Sequence, residues 1–258
     1  MNIVVCVKQV PDVDDIKWTK ENNLDRSQML SKINTQDEWA LDWAMNIKSR
    51  FIHAKITVIS MGPKQTKDIL SQAVAKGCSR AILLCDKMFA ASDTLATSKI
   101  LSCAIKKYVP DFNLIITGQM AADGDTAQVP VSLSQMLNIV DITNVVEIIN
   151  ADKENVIVKQ DLGDTVNIIQ NKAPCLAAVK APCPNKFIPK IRDYIRAQNK
   201  GIEEYCFEDL GLSRDEVGIL GSPTVVYKAF RPEINKDTKE ITENYSNFIL
   251  DLVNKGKN

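Results

Sequence analysis

Four short apolar runs, each closed by a polar turn and followed by a segment of helical period, limit what this chain can fold into. They are Asn2–Val7, Lys55–Ser60, Arg80–Cys85 and Asp111–Thr117. Short apolar runs without polar alternation suit strands covered on both faces, as parallel strands are. Between them, apolar residues recur every three or four positions. Trp39, Trp43 and Ile47 form one such stripe, with Ala40 and Ala44 beside them. Ile69, Leu70, Ala73 and Val74 form the next, closed by Gly77 as a C-cap. Leu95, Ile100, Leu101, Ala104 and Ile105 form the third, and a fourth helix is expected from about Thr126 to Leu137. Strands alternating with helices at this spacing predict an α/β fold on a mostly parallel, twisted sheet flanked by helices.

After Asn138 the texture changes. Asn144–Asn150, Asn155–Gln160 and Thr165–Gln170 read as hairpin strands, and Ala173–Val179 as one more strand. From Pro182 the chain is rich in Pro and Lys and carries no readable period. Gly221-Ser222-Pro223-Thr224 turns into an extended Val225–Phe230 segment. A last helix carries Tyr245, Phe248, Ile249 and Leu252 on one face. These breaks predict an α/β nucleotide-binding domain over 1–222 and a C-terminal arm over 223–258, whose last helix either reaches a partner or folds back on its own domain.

Composition narrows function by exclusion. The 258 residues are 45% hydrophobic and 25% charged, as in soluble globular proteins. Lys+Arg and Asp+Glu both number 32, so the basic excess of a nucleic-acid binder is missing. No apolar run reaches the roughly 18–20 residues that span a bilayer. Seven scattered cysteines without a CxxC pair, and a start without a basic, apolar leader, read as a reducing cytoplasmic setting without structural zinc.

Open parallel sheets bind ligands outside the carboxyl ends of their strands. The most informative strand end runs from Gly118 to Val129 and contains Asp123-Gly124-Asp125-Thr126-Ala127-Gln128-Val129. Glycine beside the strand admits a ligand to the backbone. Asp125 or Thr126 is expected to cap the next helix, whose first amides suit a phosphate. Asp123 and Asp125 repel a phosphate themselves and suit ribose hydroxyls or backbone. A second start of the same kind, Ser92-Asp93-Thr94 with Thr97, stands at the neighbouring strand end. Two such starts side by side point to a nucleotide. A Walker A loop, GxGxxG, GxSxG, HExxH and EF-hand spacing are all missing. The one histidine, His53, lies at the edge of the second strand, away from the ligand side. The residues therefore predict nucleotide binding with no catalytic side chain and no metal, any chemistry being a cofactor's.

Together these motifs resemble the β subunits of electron-transferring flavoproteins over nearly the whole chain. The resemblance is carried by Asn2–Pro11 (NIVVCVKQVP), Asn34 with Asp37 and Ala40-Leu41, and Ile59–Pro63. Ser92–Thr97, Asp123–Val129 (DGDTAQV) and Gly221–Thr224 (GSPT) complete it. It implies an adenine-nucleotide-hydrolase-like fold and a heterodimer with an FAD-carrying α subunit, around which the C-terminal arm folds. It also implies an adenine nucleotide here, with Cys6, Val7, Lys8, Asn34 and Met61 at the adenosine half and Asp123–Val129 at the phosphates and ribose.

Within that family the resemblance implies the bifurcating type. There the β site holds FAD, NADH is the electron donor, and electrons pass to ferredoxin (or flavodoxin) and to an FAD-dependent dehydrogenase. Thr94 and Thr97 match positions that contact the isoalloxazine ring. The alternative is a site that holds structural AMP. Pro189-Lys190-Ile191-Arg192-Asp193 resembles the loop that meets the dehydrogenase, with Ile191 as its apolar anchor. Two departures stand out: Thr35 replaces the usual proline, and Pro184–Phe187 lacks the family's arginine.

Overall fold

The computed structural model describes residues 1–12, 31–225 and 245–255. Its chain divides into two compact units, Met1–Val225 and Val226–Asn258.

In the first unit, Asn2–Cys6 (β1), Lys55–Met61 (β4), Arg80–Leu84 (β5) and Leu114–Gly118 (β6) form parallel strands. Gln9–Pro11 (β2) and Ser31–Ile33 (β3) make a small separate antiparallel pair. The helices are Thr35–Arg50 (α1), Lys67–Lys76 (α2), Thr94–Tyr108 (α3) and Gln128–Leu137 (α4). Val140–Ala151 (β7), Asn155–Asp161 (β8) and Val166–Lys172 (β9) form an antiparallel meander, and Cys175–Val179 (β10) returns to the sheet interior.

The segment beyond Pro182, unreadable from periodicity, contributes Ile191–Gln198 (α5), the edge strand Glu203–Tyr205 (β11) and Phe207–Leu210 (α6). The edge strand is held by side chains. Arg80 makes two bonds of 2.6 Å to the Glu203 carboxylate, and the rings of Tyr108 and Tyr205 stack at 3.7 Å. Such contacts join residues far apart in the chain, so no local pattern announces them.

The nine strands lie in the order β11-β5-β4-β1-β6-β10-β7-β8-β9, the first seven parallel. Side chains alternate across them. Ile3 and Val5 pack with α1 and α2 residues, whereas Val4 and Cys6 pack with α3 and α4 residues. Covering both faces is what the uninterrupted apolar runs require. Each fully buried Ile or Leu among them contributes about 1.5–3 kcal/mol. Gly77 ends α2 at φ 123, as its position predicts. The chain runs from β1 outward to β4 and β5, then crosses back to β6. Strand order therefore reverses between β1 and β6, which opens a crevice at their carboxyl ends.

In the second unit only Tyr245–Lys255 (α7) is described. Tyr245, Phe248, Ile249 and Val253 are exposed along it. The extended segment expected over Val225–Phe230 lies, after Val225, outside the described residues. No helix among the described residues is long and apolar enough to cross a membrane.

Candidate nucleotide-binding site

The crevice is built by the first turn of α1. Asp37 sits there, 7% exposed, between the ends of β1 and β6. Its Oδ2 accepts the Lys8 amide at 2.8 Å and its Oδ1 the Gly118 amide at 3.0 Å. Burial pushes its carboxyl up to about 7, against the pull of the Lys8 amide, the Asn34 side chain and the Gly118 amide. Gln36 accepts the Met120 amide at 2.9 Å. Asn34 donates to the Met120 carbonyl at 3.0 Å and accepts the Ala122 amide at 3.1 Å. Three side chains in one helical turn thus hold the loop after β6 by its backbone.

This changes the role of Asn34. It occupies the N-cap position of α1, yet its side chain makes no cap bond. The side chain is spent on the loop, is 1% exposed, and does not line the crevice. Asp37 entered the sequence reading only among the residues that carry the family resemblance, and Gln36 was given no role. Their loop partners lie more than 80 residues away.

The loop itself departs from expectation at its end. Neither Asp125 nor Thr126 caps α4. The helix starts at Gln128, and the residue before it, Ala127, has φ 53 and no side-chain cap. Asp125 is also left-handed, at φ 48. Two left-handed residues in three are unfavourable without glycine, each by about 1 kcal/mol or more. Left-handed residues within a turn are the kind of backbone that forms anion-binding nests of successive amides. The amides of Thr126, Ala127, Gln128 and Val129 have no hydrogen-bond partner among the described residues. Asp123 turns away and pairs with Lys8 at 2.6 Å, which clasps the loop to the end of β1.

The second helix start follows β5, which is not the neighbour of β6 that the sequence suggested, since β4 and β1 lie between them. There Asp93 caps α3 by accepting the Leu95 and Ala96 amides. Thr94 is therefore free of that task. Burial pushes the Asp93 carboxyl up, but bonds from Ala96, Thr224 and Leu95 outweigh it and hold the group below the ordinary carboxylate range. The Gly221–Thr224 turn braces this cap. The Asp93 amide donates to Ser222 Oγ at 2.8 Å, and the Thr224 hydroxyl donates to Asp93 Oδ2 at 2.8 Å.

The crevice encloses about 300 Å³. Cys6, Val7, Lys8, Met61, Thr94, Thr97 and Gly124–Val129 line it, together with Asp37, Thr117 and Leu101, which sequence reasoning did not place there. Ile191 is 82% exposed at the start of α5 and takes no part in it.

The backbones of Thr94 and Thr97 are bonded, to Ser98 and Asp93, but their hydroxyls have no hydrogen-bond partner among the described residues. The Thr117 hydroxyl is fully buried and also unpartnered, which costs roughly 1–3 kcal/mol unless a ligand satisfies it. Free amides at one end, unpaired hydroxyls and apolar walls suit a phosphate-bearing nucleotide with a flat, polar-edged ring. Asp123→Ala, which releases the clasp, is expected to weaken nucleotide retention up to about fivefold, the scale of an exposed ion pair. Titration at low and high ionic strength checks this, since the loss shrinks in salt.

Comparison with known proteins gives the family. The profile of the electron transfer flavoprotein domain matches residues 23–205. An electron transfer flavoprotein subunit beta from Thermoanaerobacterium thermosaccharolyticum is 36% identical over 256 residues, which cover 98% of this chain and 96% of that one. The caffeyl-CoA reductase–Etf complex subunit CarD of Acetobacterium woodii is 34% identical over 94% of this chain and 92% of its own. Protein FixA of Bradyrhizobium diazoefficiens is 33% identical over 94% of this chain and 86% of its own. With a match of this extent along both partners of each alignment, the chain belongs to the electron transfer flavoprotein family and takes its place among the β subunits.

Proposed function

We propose that this β subunit pairs with an FAD-carrying α subunit and holds a second FAD in the β1–β6 crevice. The carrying observation is at α3. Asp93 makes the helix cap, so the Thr94 and Thr97 hydroxyls stand unpartnered on the crevice wall, beyond what an adenosine phosphate needs. A flavin there supplies hydride acceptance from NADH and the division of its two electrons between ferredoxin (or flavodoxin) and, through the α-subunit FAD, an FAD-dependent dehydrogenase.

The residues of this chain bind and orient. The amides of Thr126–Val129 take the phosphates, and Asp125 suits the ribose hydroxyls. The end of β1, Cys6-Val7-Lys8, and Met61 form the wall for the adenosine. Thr94 and Thr97 donate to polar edges of the ring, and a donor aimed at developing negative charge favours the reduced form.

Cofactor content of the co-purified heterodimer, by acid extraction and chromatography, tests this reading. About two FAD per heterodimer is the expected result, followed by NADH-dependent ferredoxin reduction. One FAD with one AMP overturns it and leaves a site that holds the nucleotide structurally.

Residues 223–258 form an arm for the α subunit in this reading, supported by the exposed apolar side chains of α7. Ile191, Ile188, Tyr194 and Ile195 are exposed together around α5, as befits a surface that docks the dehydrogenase. One relative's name, a caffeyl-CoA reductase–Etf complex subunit, agrees with such an acceptor. Seven unpaired thiols suit the reducing cytoplasm. Ile191→Glu is expected to raise the acceptor KM about tenfold or more, an interface anchor being worth upward of 1–2 kcal/mol. Cofactor content should stay unchanged; unaltered transfer removes α5 from the interface.

A further inference from the structure

Asp42 is an unexpected residue in the second turn of α1. It is 3% exposed, between the buried Leu41 and Trp43. Its Oδ1 receives the Lys76 ammonium at 2.9 Å, and both side chains are almost wholly buried. The same oxygen accepts the backbone amide of Phe187 at 3.2 Å. Beside it, the Trp43 indole donates to the Ala181 carbonyl at 3.2 Å. A buried ion pair is a poor source of stability, since apolar side chains of similar volume serve as well or better. What an apolar pair cannot supply is an acceptor for the Phe187 amide. That amide anchors the segment leading directly into Ile188, 77% exposed, and Ile191, 82% exposed.

The same helix holds the nucleotide loop. Asn34, Gln36 and Asp37 grip residues 118–122, and Asp42 lies about 8 Å further along the axis. A single rigid rod thus carries the crevice loop at its first turn and the exposed apolar segment at its second.

We infer that Asp42, neutralised by Lys76, is a positioning residue. It fixes the Ile188–Ile195 surface in distance and orientation relative to the nucleotide crevice, so that a docked acceptor meets the cofactor in one geometry. This rests on the reading of that surface as the dehydrogenase-docking face. A preorganised surface loses less freedom on association, so release of the anchor raises KM and leaves the bound-state rate in place.

The test uses the α–β heterodimer and an FAD-dependent dehydrogenase that the wild type reduces. Asp42→Leu/Lys76→Met replaces the pair with apolar side chains. It is expected to keep cofactor content and to reduce a small dye acceptor at the wild-type rate, with a melting temperature lower by about a few degrees because the Phe187 amide loses its acceptor and Glu38 its bond from Lys76. Its KM for the dehydrogenase should rise about tenfold at unchanged kcat, with faster amide exchange across Phe187–Gln198. Asp42→Asn/Lys76→Met restores an oxygen to the Phe187 amide without a buried charge and should bring KM back towards wild type.

An unchanged KM in the Leu/Met variant, with Ile191→Glu raising it, overturns the positioning role and spares the docking face. An unchanged KM in Ile191→Glu as well overturns both.

Discussion

Gly118→Ala is expected to weaken nucleotide binding about tenfold to a hundredfold and to cost about 2–3 kcal/mol of stability. Gly118 closes β6, where the sheet meets the first turn of α1. A methyl there would contact Asp37 Oδ1, sit 2.8 Å from the Gln36 Cβ and 2.9 Å from the Gln36 carbonyl carbon. The body of α1 is fixed, because Ala40, Leu41 and Ala44 beyond the first turn are wholly buried. Relief must come from moving the first turn. That separates Asp37 from the amides of Lys8 and Gly118 and shifts the loop that carries the anion-binding amides. A melting temperature lower by roughly 5–10 °C is the stability readout. Gly124→Ala is the control on stability, since its added methyl meets nothing within 4 Å, and it is expected to change stability by no more than about 0.5 kcal/mol. Equal nucleotide affinity in Gly118→Ala and wild type would show that the first turn does not set the site.

Asp37→Asn should change how stability depends on pH. Burial raises this carboxyl from its ordinary 3.8 to about 7 in the folded chain. Folding therefore takes up a proton between about pH 4 and pH 7. The stabilisation is fully present below the unfolded value, is lost as pH rises through the folded value, and is flat above it. The slope reaches about 1.4 kcal/mol per pH unit at most. Asparagine does not titrate, so the wild type is expected to lose several degrees of melting temperature relative to the variant between about pH 5 and pH 7.5. Above that range the variant keeps a fixed deficit of roughly 1–3 kcal/mol, because one of the two amides loses its acceptor. A difference that stays constant with pH would mean that the two amide donors keep Asp37 ionised throughout.

The parts of the fold that a reader of the sequence obtains are those governed by neighbours in the chain. The apolar runs at Asn2, Lys55, Arg80 and Leu114 become strands because burial on both faces leaves no polar alternation. Gly77 ends α2 because only glycine takes its φ of 123 without cost. Most of the crevice wall was legible for the same reason. Ligands meet parallel sheets at strand ends, and Cys6–Lys8, Met61, Thr94 and Gly124–Val129 are strand-end residues.

Capping followed less simply. The sequence around Asp125 suggests a cap, but two left-handed residues leave the amides of α4 open instead. At Ser92-Asp93-Thr94, side-chain type alone does not say that Asp93, braced by Thr224 from 131 residues away, does the capping.

The sequence by itself determined the βαβ alternation, the buried faces and the chemistry available at each strand end, because periodicity and turn residues act over a few positions. Only the tertiary structure decided that β6 lies beside β1, that the turn at Asn34–Asp37 holds a loop more than 80 residues on, and that Asp42 anchors Phe187. Those pairings depend on which elements the strand order brings together. A buried polar side chain takes whichever partner lies within reach, and reach is a property of the folded sheet.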